Sequence, residues 1–167
     1  FMSKKRLLVG ASGFLAVLVS FGAYVGLFTG NVRTVAEGRV FRSAQIAGPS
    51  LRSRLAGLMG HDLEREIKAH RIRTVINLQG PSPDSPWYRD ELAVSQRAGV
   101  THYDVPLSDN KLPPPDRLKA LFGILDSASY PILIHCKAGA DRSGLVGALY
   151  LAAYKGVPPR DAVNAQL

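Results

Sequence analysis

The stretch Tyr130-Pro131-Ile132-Leu133-Ile134-His135 is apolar on both of its alternating faces, and no other feature limits the fold of this chain as strongly. A strand that is hydrophobic on both sides must be covered on both sides, which is the situation of a parallel sheet with helices above and below. Other segments fit that plan. Ile72 to Leu78 is a compact β-rich run ending at Gly80, Val100 to Val105 is another strand, and Gly38 to Gln45 reads as a short strand around Val40 and Phe41 that enters a turn. Helical spacing appears between these runs. Leu51, Leu55 and Leu58 recur up to Gly60, and Asp62 to His70 carries Leu63 and Ile67 on one face. Pro81, Pro83 and Pro86 mark an extended loop, after which Tyr88 to Arg97 reads as a helix stopped by Gly99. Pro113 to Pro115 open a helix with Asp116 in its first turn and an apolar stripe of Leu118, Leu121, Phe122 and Leu125. Gly144 to Lys155 reads as a helix carrying Leu145, Val146, Leu149, Leu151 and Ala152, and another begins near Pro159. Strands alternating with helices predict an α/β domain with a central, mostly parallel sheet flanked by helices.

Ahead of that domain there is no charged residue from Leu7 to Val32, and the apolar run Leu7 to Phe28 is long enough to cross a bilayer as one helix. Lys4, Lys5 and Arg6 stand before it, and such a basic cluster tends to stay cytoplasmic. The expectation is a single-pass membrane protein with the domain that follows on the periplasmic, extracytoplasmic side. No A-x-A cleavage site is present, so the segment is expected to remain as an anchor. Residues 1–32 are thus read as basic flank and anchor, and residues 33–167 as one domain whose final helices are cut short.

Lysine and arginine number 21 against 13 acidic residues, a formal charge of +8 that suits an anionic partner. The excess is concentrated after the hydrophobic segment, a position that favours lipid head groups. The expected partners are a phosphorylated substrate and a membrane, not nucleic acid. A single cysteine, Cys136, excludes an intramolecular disulfide. His61, His70 and His102 show no ligand spacing, so neither a metal nor another cofactor is expected.

The chemistry is expected directly after the buried strand, in His135-Cys136-Lys137-Ala138-Gly139-Ala140-Asp141-Arg142-Ser143-Gly144. A loop of this length between a strand and a helix can curl so that the backbone N–H groups of Lys137 to Arg142 aim inward, with the helix adding its positive end. That is an anion cradle. A thiol held in it loses its proton readily and lies beneath a bound phosphorus. Arg142 offers a planar fork that can hold two phosphate oxygens. Gly139 is expected to let the backbone turn where a Cβ would crowd the anion.

His135 to Ser143 resembles the H-C-x-x-G-x-x-R-[S/T] signature of the protein tyrosine phosphatase superfamily at every defined position. Phe41-Arg42-Ser43-Ala44-Gln45 and Thr74 to Leu78 are similar to an aromatic-Arg-Ser-Ala-Gln segment and a first core strand of its small, dual-specificity-like bacterial branch. The resemblance implies a dual-specificity-phosphatase-like fold, a phosphocysteine on Cys136, substrate and transition-state binding by Arg142, discharge of the intermediate aided by Ser143, and a supporting His135 that tunes the thiolate. The stretch between Gln45 and Arg73 is longer than the branch leads one to expect.

The general acid has two candidates. Asp109 lies in the loop after the Val100 to Val105 strand, where the superfamily usually places a mobile aspartate. Asp141 resembles the G-x-D-R variant of phosphatases that accept phosphoinositides and other lipids, and is preferred. Three functions follow: a phosphomonoesterase for a membrane lipid or lipid-linked sugar phosphate, a dual-specificity phosphoprotein phosphatase, or a catalytically dead phosphate-binding module.

Overall fold

A computed structural model of the chain describes residues 30–47 and 62–167. Five strands form one mixed sheet in the order β1-β2-β5-β3-β4: β1 (Arg33–Ala36), β2 (Val40–Ser43), β3 (Thr74–Asn77), β4 (Thr101–Asp104) and β5 (Ile132–His135). The pairs β2 with β5, β5 with β3 and β3 with β4 are parallel, as the alternation of elements predicts. β1 is the exception. It runs antiparallel to β2 with an irregular register and was not among the expected strands.

The helices among the described residues are α1 (Leu63–His70), α2 (Pro86–Arg97), α3 (Pro115–Ser127), α4 (Asp141–Lys155) and α5 (Pro159–Gln166). The two-residue period of the strands divides the core. Val40, Ile76, Ile132 and Ile134 pack with Leu121, Leu125, Val146 and Tyr150 on one side, while Phe41, Val75 and Leu133 pack with Leu63, Ile67 and Val94 on the other. Both sides of β5 are therefore covered. Asp62 caps α1 by accepting from the Arg65 N–H at 3.0 Å. Pro86 is the first residue of α2 rather than part of the preceding loop.

The largest departure from expectation concerns α4. It begins at Asp141, three residues before the expected Gly144, so Asp141, Arg142 and Ser143 stand in its first turn. Its buried face consists of Ser143, Gly144, Val146, Gly147, Ala148 and Tyr150, not the leucines. The small residues let α5 approach closely: a Cβ at Gly144 would lie 2.7 Å from Leu167 Cδ2 and 2.8 Å from the Gln166 carbonyl oxygen.

Residues just ahead of Arg33 are bonded to this unit. The Gly30 carbonyl accepts from Ala44 N at 2.8 Å, and Asn31 Nδ2 donates to the carbonyls of Ala138 and Gly139 at 3.1 and 2.7 Å. Among the described residues no helix is long and apolar enough to cross a membrane. The expected anchor over Leu7 to Phe28 and the helical pattern of Leu51, Leu55 and Leu58 lie outside the described residues.

Candidate active site

Strands β2, β5, β3 and β4 end in register, with Ser43 opposite His135, His135 opposite Asn77, and Asn77 opposite Asp104. The chain leaving β5 therefore starts its loop at the carboxyl edge of the sheet, where open α/β folds place their ligand sites. Cys136 N donates to Ser43 O at 3.4 Å, and Leu78 N donates to His135 O at 2.9 Å, so both flanking strands hold the loop's entrance.

Cys136 is buried, and its Sγ lies 3.6 Å from Ser143 Oγ. Burial pushes the thiol up, but the Ser143 hydroxyl and the backbone N–H groups of Ser143, Gly139 and Ala140 more than offset it, leaving the thiol below its ordinary value. Gly139, Ala140 and Ser143 are thus the loop residues whose donors act on the sulfur. Lys137, Ala138, Ala140 and Asp141 are exposed and Arg142 is half-buried at the start of α4. Among the described residues the Arg142 guanidinium meets no carboxylate, which leaves its donors available to an anion.

Gly139 also meets a steric demand within the fold itself. Its φ is +68°, and a Cβ would lie 2.4 Å from Ala44 N and 2.6 Å from the Ser43 carbonyl carbon. The collision is with the end of β2.

His135 is buried, and its Nε2 lies 2.9 Å from Glu91 Oε1, the same oxygen that His102 Nε2 approaches at 2.8 Å. His102, expected to be an ordinary residue, is thus part of a buried cluster beside the loop. Among the described residues no group of three His, Cys, Asp or Glu side chains is placed to hold a metal. Asp104 is occupied by Asn77 Nδ2 at 2.7 Å and by the Tyr88 hydroxyl. Burial and then Asp104 raise that hydroxyl's pKa to about 12. Asp109 stands on the exposed segment between β4 and α3 beside the Ser108 to Asn110 hydrogen bond of 2.8 Å. Asp141 borders a small cavity shared with Asn31, Arg33, Arg42 and Gln166. The structure thus separates the two candidate acids, one on a neighbouring loop and one in the cysteine loop itself.

Four residues that sequence reasoning left without a role take part: Asn31, Arg42, Glu91 and Gln166. Arg42 alone carried a signal, a charge inside the otherwise apolar or small Val40-Phe41-Arg42-Ser43.

A buried cysteine whose neighbouring donors favour its thiolate, at the carboxyl edge of such a sheet, suits cysteine-based phosphoryl transfer. The family model for the polymorphic toxin system DSP-PTPase phosphatase matches residues 59–155, and the chain belongs to that family. Human dual specificity protein phosphatase CDC14C is 32% identical over 114 residues, which cover 66% of this chain and 24% of that protein. The chain spans about a quarter of the length of the curated relatives it matches. The core catalytic domain of PP-IP phosphatase SIW14 from S. cerevisiae, solved with citrate, superposes with a TM-score of 0.52 at 25% identity, over 71% of this chain and 63% of that one. A serine variant of P. aeruginosa TpbA in complex with pTyr shares the fold, with a TM-score of 0.55 at 19% identity over 82% and 72% of the two chains. The matching family and the curated relatives are phosphatases of the dual-specificity type.

Proposed function

We propose that the chain is a phosphomonoesterase that works through a phosphocysteine on Cys136 and acts on a membrane lipid or lipid-linked sugar phosphate. The observation that carries the chemistry is the convergence of the Ser143 hydroxyl and the N–H groups of Gly139, Ala140 and Ser143 on one buried sulfur. The Cys136 thiolate attacks phosphorus, an S–P bond forms, and the P–O bond to the leaving group breaks. Asp141, the preferred acid, gives that oxygen its proton. Water then attacks the phosphocysteine, Asp141 takes the proton back, and the Ser143 hydroxyl donates to the sulfur as it leaves with the bonding pair. Arg142 follows the equatorial oxygens through both steps.

The lipid reading is supported by the cationic excess that follows the apolar segment and by Asp141 within the cysteine loop. In this reading residues 1–32 hold the domain at the extracytoplasmic face of a membrane. A second reading, a phosphoprotein phosphatase of dual specificity, is favoured by the likeness to CDC14C and by the fold shared with a phosphotyrosine-bound phosphatase. Turnover of the purified domain on phospholipid phosphate, lipopolysaccharide-type phosphate and phosphotyrosine peptides tests the two. A preference of tenfold or more in kcat/KM for a lipid class is expected, and the reverse preference overturns the lipid assignment.

A further inference from the structure

Arg42 stands third in β2, a strand buried along its whole length, and is 2% exposed. A buried guanidinium is costly unless its donors are satisfied. Among the described residues no carboxylate meets it. Its donors go instead to neutral oxygens: Nε to Gln166 Oε1 at 2.9 Å, Nη2 to the Gln166 carbonyl at 2.6 Å, and Nη1 to the Gly139 carbonyl at 2.7 Å. One arginine thus ties the last turn of α5 to the middle of the cysteine loop.

The tie falls on one peptide unit. The Gly139 carbonyl takes a second bond, from Asn31 Nδ2 at 2.7 Å. In a trans peptide the C=O and the N–H of the next residue point in opposite directions. Two donors on the outer side of the Gly139 carbonyl therefore turn the Ala140 N–H inward. Glycine at positive φ is the loop position whose backbone is least restrained by sterics, so a peptide beside it needs an external hold.

We propose that Arg42, seated by Gln166, is a positioning residue of the active site: it locks the Gly139–Ala140 peptide so that the Ala140 N–H faces the Cys136 sulfur. This rests on the reading of Cys136 as the nucleophile. The Ala140 N–H is among the groups that hold the thiol below its ordinary value. Burial, then Arg33, lowers the Arg42 pKa, and the Cys136 charge opposes that fall, as expected for a cation facing a thiolate. The other ionisable side chains of the loop and the elements beside it are Lys137, Asp141 and Arg142, His135 on β5 and, bonded to His135, Glu91 on α2. None of these donates to the Gly139 carbonyl.

Because Cys136 is the single cysteine, iodoacetamide alkylation of the whole chain followed against pH titrates one thiol. The wild-type curve is expected to have its midpoint below that of an ordinary thiol. Arg42→Lys removes the planar fork, so alkylation near pH 6 is expected to fall about tenfold while the rate near pH 9.5 stays unchanged. Gln166→Ala, which unseats Arg42 without removing it, is expected to shift the curve in the same direction, lowering the rate near pH 6 about threefold. With a small aryl phosphate, kcat should fall in both and KM stay nearly fixed. A wild-type midpoint at the ordinary thiol value would overturn the nucleophile reading and the proposal together. A depressed wild-type midpoint, with natively folded variants that follow the wild-type curve, would overturn the positioning role alone. Should Arg42→Lys fail to fold, Gln166→Ala decides, and an unshifted curve there counts against the proposal.

Discussion

His135 Nε2 lies 2.9 Å from Glu91 Oε1, which fastens a carboxylate of α2 to the residue immediately before Cys136. Glu91 is 1% exposed. Burial by itself would protonate it, but the charge of His135 and the bonds to His102 and His135 outweigh that and draw its pKa down to about 2. A carboxyl depressed in the folded state adds stability above its unfolded pKa and loses it as pH falls through the folded value. The expected loss therefore lies between about pH 4.5 and 2 and is on the order of 3 kcal/mol. Glu91→Gln should flatten that part of the stability–pH curve and lower stability at neutral pH by about 2 to 4 kcal/mol. Urea denaturation at a series of pH values measures both. Parallel curves for the two proteins would show that the carboxylate charge does not matter.

Cys136→Ser should abolish turnover, by ~10³-fold or more, yet leave phosphate-ester binding largely intact, because the backbone cradle and Arg142 remain. Retention of a tenth of the wild-type rate would sink the thiolate mechanism. Arg142→Lys should lose about 10² to 10³ in kcat, since an ammonium cannot reproduce the two-pronged contact. Steady-state kinetics on an aryl phosphate, with equilibrium binding of the same ester to the serine variant, provides the check.

Gly139 and Gly99 both have positive φ, at +68° and +67°, but only Gly139 has backbone where a Cβ would go. Gly99→Ala meets nothing within 4 Å and should cost about 1 to 2 kcal/mol from backbone conformation alone. Gly139→Ala adds a collision with Ser43 and Ala44 and should cost at least ~3 kcal/mol or prevent folding. Equal midpoints in denaturant for the two variants would contradict the close approach of the loop to β2.

On the proposed membrane reading, a domain beginning at Gly30 should cleave a small water-soluble aryl phosphate at the full rate while losing activity on membrane-embedded substrate, because the removed segment would supply local concentration and the loop the chemistry. A domain beginning at Arg33 lacks Asn31 and its bonds to the Ala138 and Gly139 carbonyls. It should be less stable by about 1 to 3 kcal/mol and slower on both substrates. Identical aryl phosphatase rates for the two truncations would show that Asn31 is dispensable to the loop.

What could be read from the sequence was local. The apolar β5, the cysteine loop after it and the stripe of α3 each declare themselves within a dozen residues, and the parallel sheet follows from their alternation. Arg42, Asn31 and Gln166 could not be read this way, since Arg42 meets Gly139 and Gln166 across 97 and 124 residues of sequence. Only the folded chain brings them together. The first turn of α4 was hidden for another reason: Asp141, Arg142 and Ser143 are polar and carry no helical period, so the loop appeared longer than it is. β1 is short and half exposed, and pairing with β2, not its own pattern, makes it a strand.

The two candidate proton donors stand on different elements, Asp141 in the first turn of α4 and Asp109 on the exposed segment after β4. Departing alkoxides are strongly basic and need a proton, whereas an activated phenoxide leaves almost unaided. If Asp141 is the acid, Asp141→Asn should slow alkyl phosphates by about 10² to 10⁴ and activated aryl phosphates far less. If Asp141 only orients its neighbour Arg142, both ester types should slow to a similar degree, because the arginine binds the phosphoryl group common to them. The leaving-group-dependent loss would then belong to Asp109→Asn. The acid limb of the kcat–pH profile for alkyl esters gives a second reading, since it reports the group whose proton is given up and should vanish only in the variant that lacks the acid. A large defect that depends on the leaving group and is confined to Asp109→Asn would overturn the assignment to Asp141 and would mean that the loop after β4 must close over the substrate before the ester bond breaks.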